Sequence, residues 1–351
     1  MLNNNNYIST ENILQNFEGI QYSSSIPTNT NVIEYQKGDI LLSNIRPYLK
    51  KVWFSDRKGG CSADVFVLRG DKCDQHFLYY VIASDRFINY VMSGVKGVKM
   101  PRGDKNQMKK YAFSIPTNTE QRKIAKFLSM LDERIKLQNK IIEDLKKLKS
   151  AIVEMILCKQ GGVLLKLGDV GSFIRGLTYS SEDIAEDINA TTVIRANNLN
   201  YGNNVSKKDV VYVNKKPTEI QILRKGDIVI CMANGSSSLV GKNSYYSFDD
   251  RQSTIGAFCG IYRSSQPLVK WLMQSQRYRR LVYQSLQGGN GAIANLNGDD
   301  ILNMTFYVVE DKKSVSILSA LVLIENSIAV NEKLQELYSM QKEYLLQHLF
   351  I

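Results

Sequence analysis

Two long stretches of the chain alternate apolar and polar residues with the spacing of an amphipathic helix. The first extends from Glu120 to about Leu157, and its apolar residues recur three or four positions apart, as in a coiled coil. Pro116 precedes it as a stop signal, and the spacing is interrupted once, near Gln138. The predicted coiled-coil positions of this helix are Leu128, Leu131, Ile135, Leu145, Leu148 and Ile152.

The second stretch runs from about Lys313 to the C-terminus and repeats the first. A shift of 193 positions places Leu128 on Leu321 and Ile135 on Ile328. The chain therefore carries an internal repeat of a whole helix. The predicted coiled-coil positions of the second helix are Leu321, Ile324, Ile328, Leu337 and Leu345.

The regions that precede the two helices repeat as well. Lys37-Gly38-Asp39 and Lys225-Gly226-Asp227 each lead into an apolar strand, at an offset of 188 positions. Short strands rich in β-branched and aromatic residues alternate with polar turns, which predicts an α+β fold for both modules. The predicted domains are 1–116, 117–160, 161–311 and 312–351.

Charge adds a partner to this outline. The 351 residues carry a net charge of +11, and residues 1–160 hold 25 basic against 16 acidic side chains. A basic excess concentrated in one half favours a polyanionic partner, with nucleic acid first, although many basic proteins bind no nucleic acid.

The cysteine and histidine contents exclude several kinds of site. Five cysteines without a CxxC pair indicate reduced thiols in a cytosolic protein, and with only two histidines we expect no metal site. The N-terminus has no signal-peptide pattern, and no uninterrupted apolar run reaches the length of a membrane span. We therefore expect a cytoplasmic protein with no membrane partner.

The sequence carries no recognisable catalytic motif. A DNA methyltransferase loop needs two adjacent prolines, and none of the six prolines is adjacent to another. The carboxylate pairs Asp249-Asp250 and Asp299-Asp300 are expected to be surface acids of turns. We predict no catalytic residues and no cofactor bound by this chain.

Candidate DNA contacts follow the Lys-Gly-Asp strand in each module. Arginine pairs with guanine and asparagine with adenine at base edges, while lysine and arginine neutralise phosphates. The alternative interpretation is a set of basic or polar loops that contact only solvent. In the first module the candidates are Asn44, Arg46, Lys50, Lys96, Lys99, Arg102 and Lys105. In the second they are Asn234, Ser236, Ser238, Lys242, Arg277, Arg279, Asn290 and Asn295.

The segment from Ser114 to Leu157 resembles the central conserved region of specificity subunits from type I restriction–modification systems. The resemblance rests on Pro116, Glu120-Gln121, Ile124, Leu128, Leu131-Asp132 and Ile135. Lys166-Leu167-Gly168-Asp169-Val170 is similar to the opening of that family's second target-recognition domain. The first module departs from the pattern, because it lacks a counterpart of about Lys166–Ala190.

The resemblance implies an α+β fold in which two target-recognition domains are separated by two long antiparallel coiled-coil helices, with a pseudo-two-fold internal repeat. It implies a non-catalytic subunit that reads a two-part sequence in double-stranded DNA. The partners would be modification methyltransferase subunits, which bind S-adenosylmethionine, and a restriction (translocase/nuclease) subunit. Two alternatives are a specificity subunit of a related restriction or phage-defence system with different partners, and a coiled-coil scaffold without a DNA role.

Overall fold

The computed structural model describes residues 2–23, 25–26, 31–95, 97, 99–157, 162–287, 294–309 and 311–350. The chain divides into two compact units, which we call unit 1 (residues 1–141 and 331–351) and unit 2 (residues 142–330). The two long helices contribute to both units. The predicted four-part division of the chain stays a prediction.

Among its described residues, unit 1 contains two three-stranded sheets and three short α-helices. One sheet has the order β1-β5-β2 with β1 parallel to β5, and the other is antiparallel with the order β4-β3-β6. The elements are β1 (Tyr7–Ile8), β2 (Ile33–Tyr35), β3 (Ile40–Ser43), β4 (Val52–Phe54), β5 (Gly59–Cys61), β6 (Val65–Leu68), α1 (Gln75–Ile82), α2 (Asp85–Ser93) and α3 (Lys105–Met108), followed by the long helix α4 (Asn118–Met155).

The described part of unit 2 contains two four-stranded sheets and two short strand pairs. Its elements are β7 (Val163–Lys166), α5 (Leu167–Val170), β8 (Gly171–Arg175), β9 (Ile184–Ala185), β10 (Thr191–Ile194), β11 (Val211–Val213), β12 (Ile228–Cys231), β13 (Ala233–Asn234), β14 (Asn243–Tyr245), β15 (Ser253–Ile255), β16 (Cys259–Ser264), α6 (Val269–Leu272), α7 (Gln276–Gln287), β17 (Ala294–Asn295), α8 (Gly298–Leu302) and β18 (Thr305–Val308). The second long helix, α9, spans Asp311–His348.

Corresponding strands of the two units pair in the same way. In unit 2 the order β14-β12-β16-β8 repeats β4-β3-β6 of unit 1 and adds β8 at the outer edge. The segment from β7 to β9 covers the part for which the sequence predicts no counterpart in the first module. Among the described residues of unit 1, no strand pairs with the outer edge of β6.

The Glu120-Gln121 dipeptide anchors the start of α4. Thr117 and Glu120 form a reciprocal cap, in which the Glu120 carboxylate accepts from the Thr117 backbone N–H at 3.0 Å. The Gln121 side chain is buried, donates to the Pro116 carbonyl at 2.8 Å and accepts from the Asp74 backbone N–H at 2.7 Å. These bonds fix the helix start against the segment that begins α1.

In each unit a part of α4 packs antiparallel on a part of α9, and polar pairs join them. In unit 1 Asp132 forms an ion pair with Lys342 at 2.5 Å, and Gln138 donates to Asn331. In unit 2 Lys149 pairs with Glu325 at 3.3 Å. At a shift of 193 positions Asp132 corresponds to Glu325, and Lys149 corresponds to Lys342. The two ion pairs are therefore equivalent, and the sequence repeat is also a repeat of interactions.

The helix seam differs from the prediction at Leu148 and Leu337, each 48% exposed. From the apolar residues alone, the heptad pattern is interrupted near Gln138. In the structure Gln138 is buried and hydrogen-bonded, so the heptad pattern continues through it to Ile142 and Lys149, which are also buried. Leu148 is therefore turned away from the seam, and Leu337 likewise. The other predicted positions are buried or half-buried: Leu128, Leu131, Ile135, Leu145, Ile152, Leu321, Ile324, Ile328 and Leu345.

By length and composition alone, Ser314–His348 is long and apolar enough to cross a membrane. The segment has no long uninterrupted apolar run, and the sequence therefore predicted no membrane span there. Only 17% of its most apolar 18-residue window is buried. Nevertheless Leu321 belongs to the core of unit 2, and Glu325 forms ion pairs with Lys149 and Lys270. These are the contacts of a helix packed within a soluble protein.

Candidate nucleic-acid interface

A buried aspartate fixes the turn that precedes each candidate reading loop. In unit 1 Gly38 has a φ of +92°, and Asp39 accepts two bonds of 2.7 Å from Arg69. In unit 2 Gly226 has a φ of +105°, and Asp227 accepts bonds of 2.8 and 2.7 Å from its arginine partner, Arg263. Glycine is required in both turns because other residues rarely adopt this φ.

These ion pairs brace the strand that leads into each loop. Burial alone would raise the pKa of Asp39, but the hydrogen bonds from Arg69 and the Gln36 backbone bring that pKa below its ordinary value. The carboxylate consequently stays ionised and holds Arg69, which follows β6, against the turn that opens β3.

In unit 1 the loop after β3 is joined to the basic segment predicted separately as a phosphate contact. The Arg46 backbone N–H donates to the Pro101 carbonyl at 2.8 Å, and the Gly103 N–H donates to the Asn44 carbonyl at 3.1 Å. Ile45 forms an isolated antiparallel bridge with Arg102. The two predicted contact segments, about 57 residues apart in sequence, are therefore one structure, which we call ribbon 1 (residues 44–46 and 101–103).

Unit 2 has the same arrangement at the corresponding positions. Strands β13 and β17 pair antiparallel, with Ala233 opposite Asn295 and Asn234 opposite Ala294. The Leu296 backbone N–H donates to the Met232 carbonyl at 2.8 Å. We call this structure ribbon 2 (residues 232–234 and 294–296). It brings the loop after β12 next to the loop before α8, two segments that the sequence also nominated separately.

The candidate cations of unit 1 differ in their partners. Lys50 forms an ion pair with Asp85 at 2.5 Å, and Arg102 pairs with Asp64 at 2.8 Å, so part of their charge is already neutralised. Arg46, Lys99 and Lys105 are exposed. Their ammonium and guanidinium groups are the better placed ones for phosphates. Lys96 lies outside the described residues.

Asn44 and Arg46 have unusual local environments. Arg46 adopts the left-handed conformation with a φ of +51°, which is uncommon for a residue with a side chain and is frequent at functional loops. The Asn44 side-chain oxygen is buried and has no hydrogen-bond partner within the described part of the chain. Both features lie on ribbon 1.

The candidate residues of unit 2 that the structure describes lie on ribbon 2, in the loop that follows β13 and on α7. Asn234 accepts from the Ser236 backbone N–H at 3.0 Å, and the Ser236 and Ser238 hydroxyls are 2.8 Å apart. The Lys242 ammonium lies 5.1 Å from the centre of the Tyr201 ring. Arg277 and Arg279 are exposed on α7, and Asn295 is exposed on β17. Asn290 lies outside the described residues.

The structure also brings in residues that the sequence did not nominate. Tyr201, Asn203 and Gln274 line a cavity of unit 2 together with Ser238 and Lys242. They come from segments between the strands, where single-sequence periodicity carries no signal. The left-handed turn at Tyr201 and Gly202, with φ values of +26° and +75°, is the feature that marks this segment.

The two units thus define a class of protein: an α+β fold in which a polar ribbon and a packed pair of helix segments each occur once in either unit. A family model described as type I restriction modification DNA specificity domain matches residues 2–147. The EcoKI specificity subunit of Escherichia coli (strain K12) is 28% identical over 164 residues, which cover 45% of this chain and 35% of that protein. The MjaVIII specificity subunit of Methanocaldococcus jannaschii is 26% identical over 249 residues, covering 64% of this chain and 56% of that protein.

Solved structures extend the likeness of fold to nearly the whole chain. The S subunit of a type I restriction–modification system from M. genitalium matches with a TM-score of 0.61 at 16% identity, over 99% of this chain and 88% of that one. A chain from a structure of a type I R-M system matches with a TM-score of 0.56 at 17% identity, over 97% and 90%.

The family match thus covers residues 2–147, and the curated relatives are type I restriction–modification specificity subunits. The aligned segment spans only about a third of the EcoKI subunit, the first of these curated relatives.

Proposed function

We propose that this protein is a DNA sequence-recognition subunit that reads a two-part sequence in double-stranded DNA. It has no catalysis of its own and directs modification methyltransferase subunits and a restriction subunit to that sequence in the cytoplasm. S-adenosylmethionine is bound by the methyltransferase. The observation that carries the proposal is the occurrence of a two-stranded ribbon with asparagine side chains at the corresponding place in both units, accompanied on ribbon 1 by the arginines Arg46 and Arg102.

The chemistry of the ribbons suits duplex DNA. Exposed lysine and arginine side chains neutralise phosphates and release counterions, which gives salt-dependent affinity without sequence preference. Asparagine side chains on the ribbons, and the serine side chains of the loop after β13, offer hydrogen bonds to base edges, which give sequence preference. Ribbon 1 with Lys99 and Lys105 beside it therefore contributes more to affinity, and ribbon 2 with Asn234 contributes more to discrimination.

The first experiment tests the contribution of phosphate contacts beside ribbon 1 to affinity. In the complex with its methyltransferase, Lys99→Ala and Lys105→Ala together should weaken binding to all duplexes and lower the logarithmic salt slope by about 2. Lys58→Ala with Lys72→Ala removes the same charge from exposed positions outside ribbon 1. Equal effects from the two double variants would reject ribbon 1 as a phosphate contact.

The exposed helix faces support docking of partner subunits. On α4 in unit 1, Met130, Leu137 and Ile141 are 49, 59 and 37% exposed and follow a 7- and 4-residue spacing, so they form an apolar stripe beside the seam. Exposed apolar stripes of this kind mark protein interfaces. We assign this stripe to the methyltransferase subunit.

Copurification tests this docking surface. Leu137→Ser should reduce the amount of methyltransferase that copurifies with the tagged subunit. Ile188→Ser, at an exposed position of unit 2 outside the helices, is the matched control and should leave copurification unchanged. Undiminished copurification of the Leu137→Ser variant would place the partner elsewhere.

Methylome sequencing tests the function as a whole. Cells that contain the gene and its methyltransferase should carry methylation at a two-part motif that is absent when the gene is deleted. An unchanged methylome together with absent duplex binding by the complex would favour the coiled-coil scaffold. Methylation at a motif with one part would show that only one unit reads DNA.

A further inference from the structure

Unit 2 contains a cavity of about 720 Å³ beside ribbon 2. Its walls come from α4, from α7, from the turn at residues 201–203 and from the loop at residues 237–243. This volume falls within the range of small-molecule sites. The floor is apolar and includes Val153, Val240 and Leu286. No described residue of ribbon 2 lines the cavity, although Ser238, Lys242 and Arg279 of its lining are also predicted DNA contacts.

The lining is cationic. Lys146, Lys149, Lys242 and Arg279 line the cavity, and no aspartate or glutamate is among its described lining residues. A concave surface that combines several cations with low-dielectric walls concentrates positive potential. Such a cavity favours an anionic ligand.

The charge behind the wall is also unbalanced. The carboxylate of Glu325 is shared by Lys149 and Lys270, so two ammonium groups face one carboxylate. Burial lowers the pKa of Lys149, and the nearby Glu325 opposes this effect. The group of three therefore carries a net positive charge when all members are ionised.

Unit 1 provides the contrast. There the corresponding carboxylate, Asp132, is bonded to one lysine, Lys342, and to the neutral hydroxyl of Tyr80 at 2.8 Å. The charge of this group is balanced. The additional positive charge is therefore found in unit 2, where the cavity lies. The packing of the two helices does not require it, since the equivalent group in unit 1 lacks it.

Aromatic and amide groups complete the lining. Tyr201 and Tyr283 are both more than half exposed and line the cavity, and Asn203 and Gln274 add amide groups. Exposed tyrosine rings stack on nucleobases without strong sequence preference, and amides bond to base edges. Cationic side chains, aromatic rings and amide groups in one cavity are the groups that a nucleotide would contact.

We propose that this cavity binds a nucleotide, with the phosphate on Lys146 and Arg279 and the base against the exposed tyrosine rings. The nucleotide has two possible sources: a free nucleoside phosphate, or a nucleotide of an unpaired DNA strand. The proposal goes beyond duplex recognition by the ribbons, and it does not depend on it.

Calorimetric titration of the full chain in its methyltransferase complex tests the proposal. ATP is the probe for the free source, and a single-stranded deoxyadenosine oligonucleotide is the probe for the DNA source. Arg279→Ala and Lys146→Ala should each weaken binding of the effective probe about tenfold, since each removes a charge-assisted hydrogen bond. Arg280→Ala and Lys147→Ala change the neighbouring residue of the same type outside the cavity lining and should alter affinity less than twofold.

A third variant tests the base contact. Tyr283→Ala should weaken binding of ATP or of the oligonucleotide and leave binding of inorganic triphosphate unchanged. Binding of ATP assigns the free source, and binding of the oligonucleotide alone assigns the DNA source. The proposal is overturned if the wild-type complex binds neither probe, or if Arg280→Ala weakens binding as much as Arg279→Ala. Duplex retardation by the same complex tells this failure apart from failure of the proposed function.

Discussion

The shared carboxylate of Glu325 offers a direct test of how the helix seam is held in unit 2. The side chains of Lys149 and Lys270 are 10 and 17% exposed, and that of Glu325 is 26% exposed. Glu325→Ala removes the counter-charge and leaves two poorly hydrated ammonium groups facing each other. We expect the variant to remain folded, with a large loss of stability.

The expected loss is about 3 kcal/mol. Removing one partner from a buried ion pair costs roughly 3–5 kcal/mol, because the remaining charge is uncompensated, and the partial exposure of Glu325 places this case at the lower end. Glu325→Gln keeps the shape of the side chain and one acceptor and should cost less. The loss should shrink as the pH is raised toward the ordinary pKa of lysine, because the lowered pKa of Lys149 falls further without Glu325 and deprotonation of Lys149 removes the repulsion between the two ammonium groups.

Urea unfolding followed by tryptophan fluorescence measures this loss. The chain has two tryptophans, and Trp271 is buried with its ring centre 5.4 Å from the Lys149 ammonium. A Trp53→Phe background therefore reports on unit 2 alone. Glu143→Ala breaks an ion pair with Lys147 that is 65 and 68% exposed on the same helix, and it should leave the unfolding midpoint unchanged.

A loss below about 1 kcal/mol for Glu325→Ala would refute the reasoning, since it would show that the two lysines are well hydrated. A midpoint shift equal to that of Glu143→Ala would have the same meaning. A loss that grows with pH would contradict the assignment of the effect to the lysine charges.

Two further predictions concern acid stability and the repeated turn. Burial alone would raise the pKa of Asp250, but hydrogen bonds from the Lys207 ammonium and the Tyr246 hydroxyl lower it to about 2, so its contribution to stability is complete above about pH 4 and is lost as the pH falls toward 2. Asp250→Asn should flatten the decline of the urea midpoint in that range, and an unchanged decline would contradict this role. Gly38→Ala should destabilise by about 1 kcal/mol through its φ of +92° alone, because no atom lies within 4 Å of the added methyl group. Gly235→Ala, where the methyl group also meets open space at an ordinary φ, should leave thermal stability unchanged, and equal effects would reject the φ argument.

Local signals predicted much of the architecture. The heptad pattern marked both long helices to within a few residues of Asn118–Met155 and Asp311–His348, because burial along one face imposes a 3.6-residue period on the sequence. The two Lys-Gly-Asp turns could also be predicted from local sequence. A positive φ favours glycine at the turn, and the buried strand that follows favours apolar residues. The resemblance to type I specificity subunits likewise rested on contiguous residues.

The candidate site was only partly predictable. The sequence nominated the loops that follow β3 and β12 and the segments before α3 and α8, but as four separate candidates. It gave no indication that Arg102 and Lys50 are already paired with acids, because Asp64 and Asp85 lie 35 to 38 residues away along the chain. Their availability to phosphates is a property of the folded unit.

The sequence by itself determined the two long helices, the two turns and the resemblance to type I specificity subunits, all of which depend on residues near one another in the chain. The tertiary structure decided which of these residues meet. It placed Gln138 and Lys149 in an otherwise apolar seam, where polar partners 193 and 176 residues away satisfy them. It also joined the loops into ribbons and enclosed the cationic cavity of unit 2. Burial of a polar group is favourable only when its partner is present, and that partner is supplied by the fold.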